Sequence, residues 1–141
     1  MNAEPNLQDA RKTILLVDDD PGILNTVSEM LGDDYNVMTA TSGAAAIRQS
    51  QEYKSEIHVL LSDFDMPGMT GVDLATRLTA ERPHLKVLLM SGFTGGTLIL
   101  NEGWHFLPKP FVGSQLRALM VGLASPEKTS RYAAAEAATA P

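Results

Sequence analysis

Apolar runs punctuate this chain, and most of them stop abruptly at polar residues. Residues 13–17 (TILLV) run into Asp18, Asp19 and Asp20. Residues 57–62 run into Asp63, residues 86–90 (KVLLM) into Ser91 and Gly92, and Phe106 and Leu107 into Pro108, Lys109 and Pro110. Residues 36–40 form a further short run. Continuous apolar runs of this length suit strands covered on both faces, as in parallel sheets. Helical spacing lies between them. Ile23, Leu24, Val27, Met30 and Leu31 share one face, as do Leu74 and Leu78, and Leu116, Leu119, Met120 and Leu123; Ala44, Ala45 and Ile47 give a lighter one. Asp20 suits an N-cap with Pro21 in the first turn, and Gly32 suits the stop. Ser42 caps the second helix. Thr70 caps the third with Asp73 in a capping-box arrangement, and Pro83 ends it. Residues 97–102, between Gly95–Gly96 and Gly103, have room for a helix of only one or two turns.

Five strands alternating with five helices predict an α/β domain with one parallel sheet and helices on both faces. It spans residues 13–124. Residues 1–12 are polar and read as a flexible lead. Residues 125–141 become Ala-rich and read as a disordered or frayed tail.

Composition narrows the function classes. The 141 residues suit one domain, and 44% hydrophobic with 20% charged residues is an ordinary globular balance. A formal net charge of -6 argues against a nucleic-acid surface. The absence of cysteine excludes disulfides and thiolate metal sites. No run approaches a membrane span, and the N-terminal residues lack the apolar core of a signal peptide. The expectation is a soluble, cytoplasmic protein.

In a parallel sheet the polar strand ends share one rim, where open α/β sheets bind ligands. That rim would hold Asp18, Asp19, Asp63, Ser91 and Lys109. One acid there needs only a turn to explain it. Clustered carboxylates repel one another unless a cation joins them. A hard divalent cation such as Mg²⁺, held by one or two carboxylates, waters and a phosphate oxygen, is the natural partner. Lys109 adds positive charge for an anion and Ser91 adds a hydroxyl.

With those residues in place, the chain resembles the receiver domains of two-component response regulators. The resemblance rests on VDDDP (residues 17–21), SDFDMPGMTG (62–71), MSG (90–92) and FLPKPF (106–111) in that order and spacing. Each motif is weak alone and the set is specific. It implies a flavodoxin-like five-stranded sheet in the order 2-1-3-4-5. It implies that Asp63 is the phosphoacceptor, taking a phosphoryl group from a sensor histidine kinase or a histidine phosphotransfer protein. It also implies Mg²⁺ on Asp19, Asp63 and the backbone carbonyl of Asp65, with Asp18 acting through water. Lys109 would neutralise phosphoryl oxygens, Ser91 would be the switch hydroxyl, and Phe106 would hold the aromatic switch position without a phenol. The Lys109–Pro110 bond resembles a family cis peptide. The implied output is a changed surface on the fourth helix, fifth strand and fifth helix, read by a downstream protein target. The expected state is a monomer or weak dimer, with no nucleic acid or membrane bound by this domain.

One departure stands out. Seventeen residues separate Ser91 from Lys109, and four of them are glycines. The fourth helix is therefore expected to be short, irregular or mobile, with Trp104 packing into space that a full helix would cover. Elsewhere the plainer readings are kept open. Asp20 reads as a cap rather than a ligand. The Asp65 side chain either reaches toward the site or is a solvated loop acid. Phe93 and the methionines read as packing. His58, His84 and His105 are given no role.

Two alternatives belong to other classes. Asp63-x-Asp65 after an apolar strand superficially resembles the nucleophile motif of haloacid-dehalogenase-like phosphatases. Those enzymes place it on the first strand with their acidic pair downstream, whereas here the acidic pair lies upstream. The other alternative is a receiver-like interaction module that is never phosphorylated; none of the acid, hydroxyl or lysine positions is missing here. No DNA-binding or enzymatic output domain is expected within these residues. Both a single-domain regulator and a receiver cut from a longer hybrid kinase remain open.

Overall fold

The computed structural model describes residues 11–92 and 104–124. The strands are β1 (Lys12–Val17), β2 (Tyr35–Ala40), β3 (Val59–Asp63), β4 (Lys86–Ser91) and β5 (Trp104–Pro108). The helices among the described residues are α1 (Pro21–Leu31), α2 (Gly43–Glu52), α3 (Gly71–Glu81) and α4 (Gly113–Ala124), with a 3-10 turn at Gly32–Asp34. All strand pairs are parallel and the sheet order is β2-β1-β3-β4-β5. This is the predicted order. The expected short helix over residues 97–102, Phe93, and the 1–10 and 125–141 segments lie outside the described residues.

The sheet separates two apolar clusters, and alternation along each strand assigns side chains to them. Ile14 and Leu16 of β1, Leu61 of β3 and Met90 of β4 pack with Leu24, Val27 and Leu31 of α1 and with Leu116, Met120 and Leu123 of α4. Leu15, Val17, Leu60 and Leu89 pack on the other side with Ala46 and Ile47 of α2 and Leu74, Ala75 and Leu78 of α3. Residues 14–17 and 59–61 are fully buried, which is why those runs are apolar without interruption. Truncating one of these leucines to Ala would cost roughly 2–5 kcal/mol. Trp104 is half-buried against the α2–α3 cluster.

The predicted caps are present. Asp20 accepts from the Gly22 N–H at 2.9 Å, Pro21 opens α1, and Gly32 closes it at φ 69°. Ser42 accepts from the Ala45 N–H at 3.1 Å. Thr70 and Asp73 form the reciprocal box at the start of α3. Each cap satisfies donors that a helix start would otherwise leave unpaired. Together they fix where the three loops leave the carboxyl ends of β1, β2 and β3.

Candidate functional site

The rim at the carboxyl ends of β1 and β3 gathers the acids. One carboxylate oxygen from each of Asp18, Asp19 and Asp63 lies within 4.8 Å of the others. Asp18 and Asp63 are buried and Asp19 is exposed. The Asp20 backbone N–H donates to Asp18 Oδ1 at 2.9 Å and orients that carboxylate. Its other oxygen, Oδ2, is buried without a hydrogen-bond partner.

Lys109 enters from the end of β5. Its backbone N–H donates to the Ser91 carbonyl at 2.7 Å, continuing the β4–β5 pairing by one bond. The ammonium Nζ then donates to Asp63 Oδ1 at 3.0 Å and lies 3.6 Å from Asp18 Oδ2, too long for a hydrogen bond. Ser91 is buried at the end of β4. The Lys109–Pro110 peptide is cis, as the resemblance implies. Asp65 is exposed in the loop after β3, and its carboxylate is not among the three that converge. Phe106 is half-buried on β5, and Asp20 is occupied as the α1 cap.

Burial and neighbouring charges set the ionisation of the site. Burial pushes the Asp18 carboxyl above its ordinary value; the Asp20 N–H opposes this, while the Asp63 charge adds to it. Burial pulls Lys109 down, but its hydrogen bond to Asp63 and the charges of Asp63 and Asp18 outweigh that and hold the ammonium above its ordinary value. Of the three clustered carboxylates the Lys109 ammonium reaches Asp63 and Asp18, and Asp18 Oδ2 is buried without a hydrogen bond. An oxygen-only donor set with excess negative charge fits a hard divalent cation.

The loop that follows Asp63 is held tightly. Phe64 N–H donates to the Met90 carbonyl at 2.7 Å and Gly71 N–H to the Phe64 carbonyl at 2.9 Å. Ser62 Oγ, wholly buried, donates to the Asp63 carbonyl at 2.9 Å. Gly68 adopts φ 84°, which favours glycine. A Cβ on Gly71 would meet the Asp63 carbonyl oxygen at 2.3 Å, so α3 starts against the backbone of the acid. The roles of Ser62 and Gly71 are not evident from sequence: both fall inside the motif, but nothing in their spacing marks the contact.

Known proteins resemble this chain in sequence and fold. The family model for the response regulator receiver domain matches residues 14–120. The sensor kinase CckA of Brucella abortus is 32% identical over 109 residues, which is 74% of this chain and 12% of that protein. The probable transcriptional regulatory protein TcrX of Mycobacterium tuberculosis is 33% identical over 123 residues, 77% of this chain and 49% of that protein. The chain thus spans half or less of these curated relatives. Among solved structures, a response regulator receiver domain protein from Clostridium thermocellum superposes with a TM-score of 0.72 at 26% identity, covering 80% of this chain and 94% of that one. The receiver domain of the hybrid histidine kinase CckA gives a TM-score of 0.71 at 26% identity, covering 80% and 99%. No described helix is long and apolar enough to cross a membrane. With the family model matching three quarters of its length and the acids and lysine gathered on one rim, the chain belongs to the response regulator receiver domain family.

Proposed function

We propose that Asp63 accepts a phosphoryl group from a phosphohistidine on a sensor histidine kinase or a histidine phosphotransfer protein. The observation that carries this reading is the convergence on Asp63 of two further carboxylates and the Lys109 ammonium at 3.0 Å. An Asp63 carboxylate oxygen forms the new O–P bond while the P–N bond breaks and its electron pair returns to the donor imidazole. Asp18, Asp19 and Asp63 are the residues that would hold Mg²⁺, with the Asp65 backbone carbonyl as a further ligand. Bound there, the metal supplies positive charge against the phosphoryl oxygens. Lys109 supplies the chain's own positive charge at the same place. Positioning and electrostatics dominate transfers of this kind.

The acyl phosphate brings about 1.5 to 2 negative charges to the rim. Ser91, buried at the end of β4, turns its hydroxyl toward them, and Lys109 follows the new charge. Ser91 ends β4, which pairs with β5, and Lys109 directly follows β5, so the change is passed to the β5–α4 surface, where a downstream protein reads it. The chain acts in the cytoplasm as a monomer or weak dimer, as a signalling domain whose only chemistry is its own phosphorylation and dephosphorylation.

Intact mass measured after incubation with Mg²⁺ and acetyl phosphate tests the reading. The expected result is one phosphoryl group, dependent on Mg²⁺ and absent in Asp63→Asn. No adduct with acetyl phosphate or with phosphorylated kinases would overturn it, and the unphosphorylated interaction module would take its place.

A further inference from the structure

The acidic rim occupies the carboxyl ends of β1 and β3. At the opposite end of the same strands lies a recess of about 380 Å³, with Arg11, Thr13, Asn36, Tyr53, Glu56 and His58 on its walls. That volume is within the range of small-molecule sites.

The walls are cross-linked to one another. Asn36 Nδ2 donates to Thr13 Oγ1 at 3.2 Å and to Tyr53 OH at 3.4 Å, and the two hydroxyls are 3.4 Å apart. The Thr13 backbone N–H donates to His58 Nδ1 at 2.9 Å. The neutral imidazole must therefore carry its proton on Nε2, which lies 3.5 Å from Glu56 Oε1. Thr13, Asn36, Tyr53 and His58 are thus held in place by one another.

The charges are what point to a ligand. Arg11 and Glu56 line the same recess without pairing. Among the described residues Arg11 makes no ion pair, and its guanidinium donates to the Asp33 carbonyl at 3.1 Å. Among the described residues Glu56 has one ion-pair contact, to the His58 imidazole. A guanidinium offers a planar fork that matches a carboxylate, and it keeps donors beyond the one given to Asp33. A carboxylate wall suits an ammonium. The Tyr53 ring gives an apolar surface between polar neighbours.

We infer that this recess binds a free amino acid, with its carboxylate on Arg11, its ammonium on Glu56 and its side chain against Tyr53. The inference is independent of phosphorylation at Asp63. Both charged contacts are open to water, so the affinity belongs in the millimolar to high-micromolar range.

The test is a set of nitrogen-15 NMR titrations of the full chain with single L-amino acids, and separately with acetate and methylammonium. At least one amino acid should shift the backbone amides of Thr13, Asn36, Tyr53 and Glu56 saturably. Arg11→Gln and Glu56→Gln should each weaken that binding by about tenfold. Unchanged spectra away from the recess would show that both variants remain folded. The inference is overturned if no amino acid moves these amides, or if either variant binds like the wild type. It is equally overturned if acetate alone binds as tightly as the amino acid, since the recess would then take plain anions.

Discussion

The Asp63 carbonyl oxygen and the Gly71 α-carbon are packed so closely that a Cβ on Gly71 would sit 2.3 Å from that oxygen. The obstacle is backbone, which cannot rotate away like a side chain. Gly71→Ala must therefore push α3 off β3 or displace the Asp63 peptide. We expect a loss of about 1–3 kcal/mol, the usual cost of overpacking, measured by urea denaturation. Phosphorylation by acetyl phosphate should fall as well, because the displaced peptide carries Asp63, the proposed acceptor. Wild-type stability and rate in this variant would refute the close contact.

Asp18 should lower the stability of the metal-free fold. Its Oδ2 is buried without a hydrogen bond, and burial already raises its carboxyl above the ordinary range. Asp18→Asn keeps an oxygen to accept the Asp20 N–H and removes the charge. In the metal-free protein this should gain about 0.5–2 kcal/mol, because it removes a buried charge repelled by Asp63 and Asp19. The same change should weaken Mg²⁺ binding, read by calorimetry. A variant that is less stable and binds Mg²⁺ unchanged would contradict this account.

Much of the site was legible because its residues end strands, and strand ends are marked by the stop of an apolar run. Asp63, Asp18, Ser91 and Lys109 all follow that rule, and parallel pairing then puts them on one rim. Asp20, Ser42 and Thr70 were legible because capping is a local interaction. Strand boundaries were less so. The third strand was expected from Ile57 but begins at Val59, where pairing with Ile14 starts. The fifth was expected from Phe106 but begins at Trp104, opposite Val87. A strand extends as far as its neighbour pairs with it, which its own hydrophobicity does not report. The recess at the far end was invisible for a different reason. Arg11, Tyr53, Glu56 and His58 come from separate segments with no common spacing, and His58 alone carried no signal.

Two histidines make stability fall in mild acid. Burial holds His58 below the ordinary value of 6.5, and the Thr13 N–H occupies the nitrogen that a second proton would need. Burial and then the Lys86 charge lower His105 likewise. In the unfolded chain both protonate near 6.5, while in the folded chain they stay neutral to lower pH. Their contribution is therefore complete above about 6.5 and is lost as pH falls through the folded values. Urea midpoints should decline from about pH 6.5 toward 5, before carboxylates dominate. The His58→Gln and His105→Gln double variant should show a flatter profile there. An unchanged slope would show that neither imidazole is held neutral.

On the proposed function, Lys109 should have opposite effects on metal binding and on phosphoryl transfer, and one substitution separates them. Its ammonium is 3.0 Å from Asp63 Oδ1 and 3.6 Å from Asp18 Oδ2, so it competes with a divalent cation for the same carboxylates. Lys109→Gln keeps length and hydrogen-bonding capacity but removes the charge. Mg²⁺ affinity should rise, because Asp18 and Asp63 lose the one cation paired with them among the described residues. Phosphorylation should nevertheless slow by about 10²–10³, the scale of removing one donor aimed at developing charge. Calorimetry with Mg²⁺ and a time course of intact mass with acetyl phosphate read the two effects independently. Weaker Mg²⁺ binding would mean that Lys109 organises the carboxylates instead of competing with the metal. A full-rate time course would mean that the phosphoryl oxygens are neutralised elsewhere.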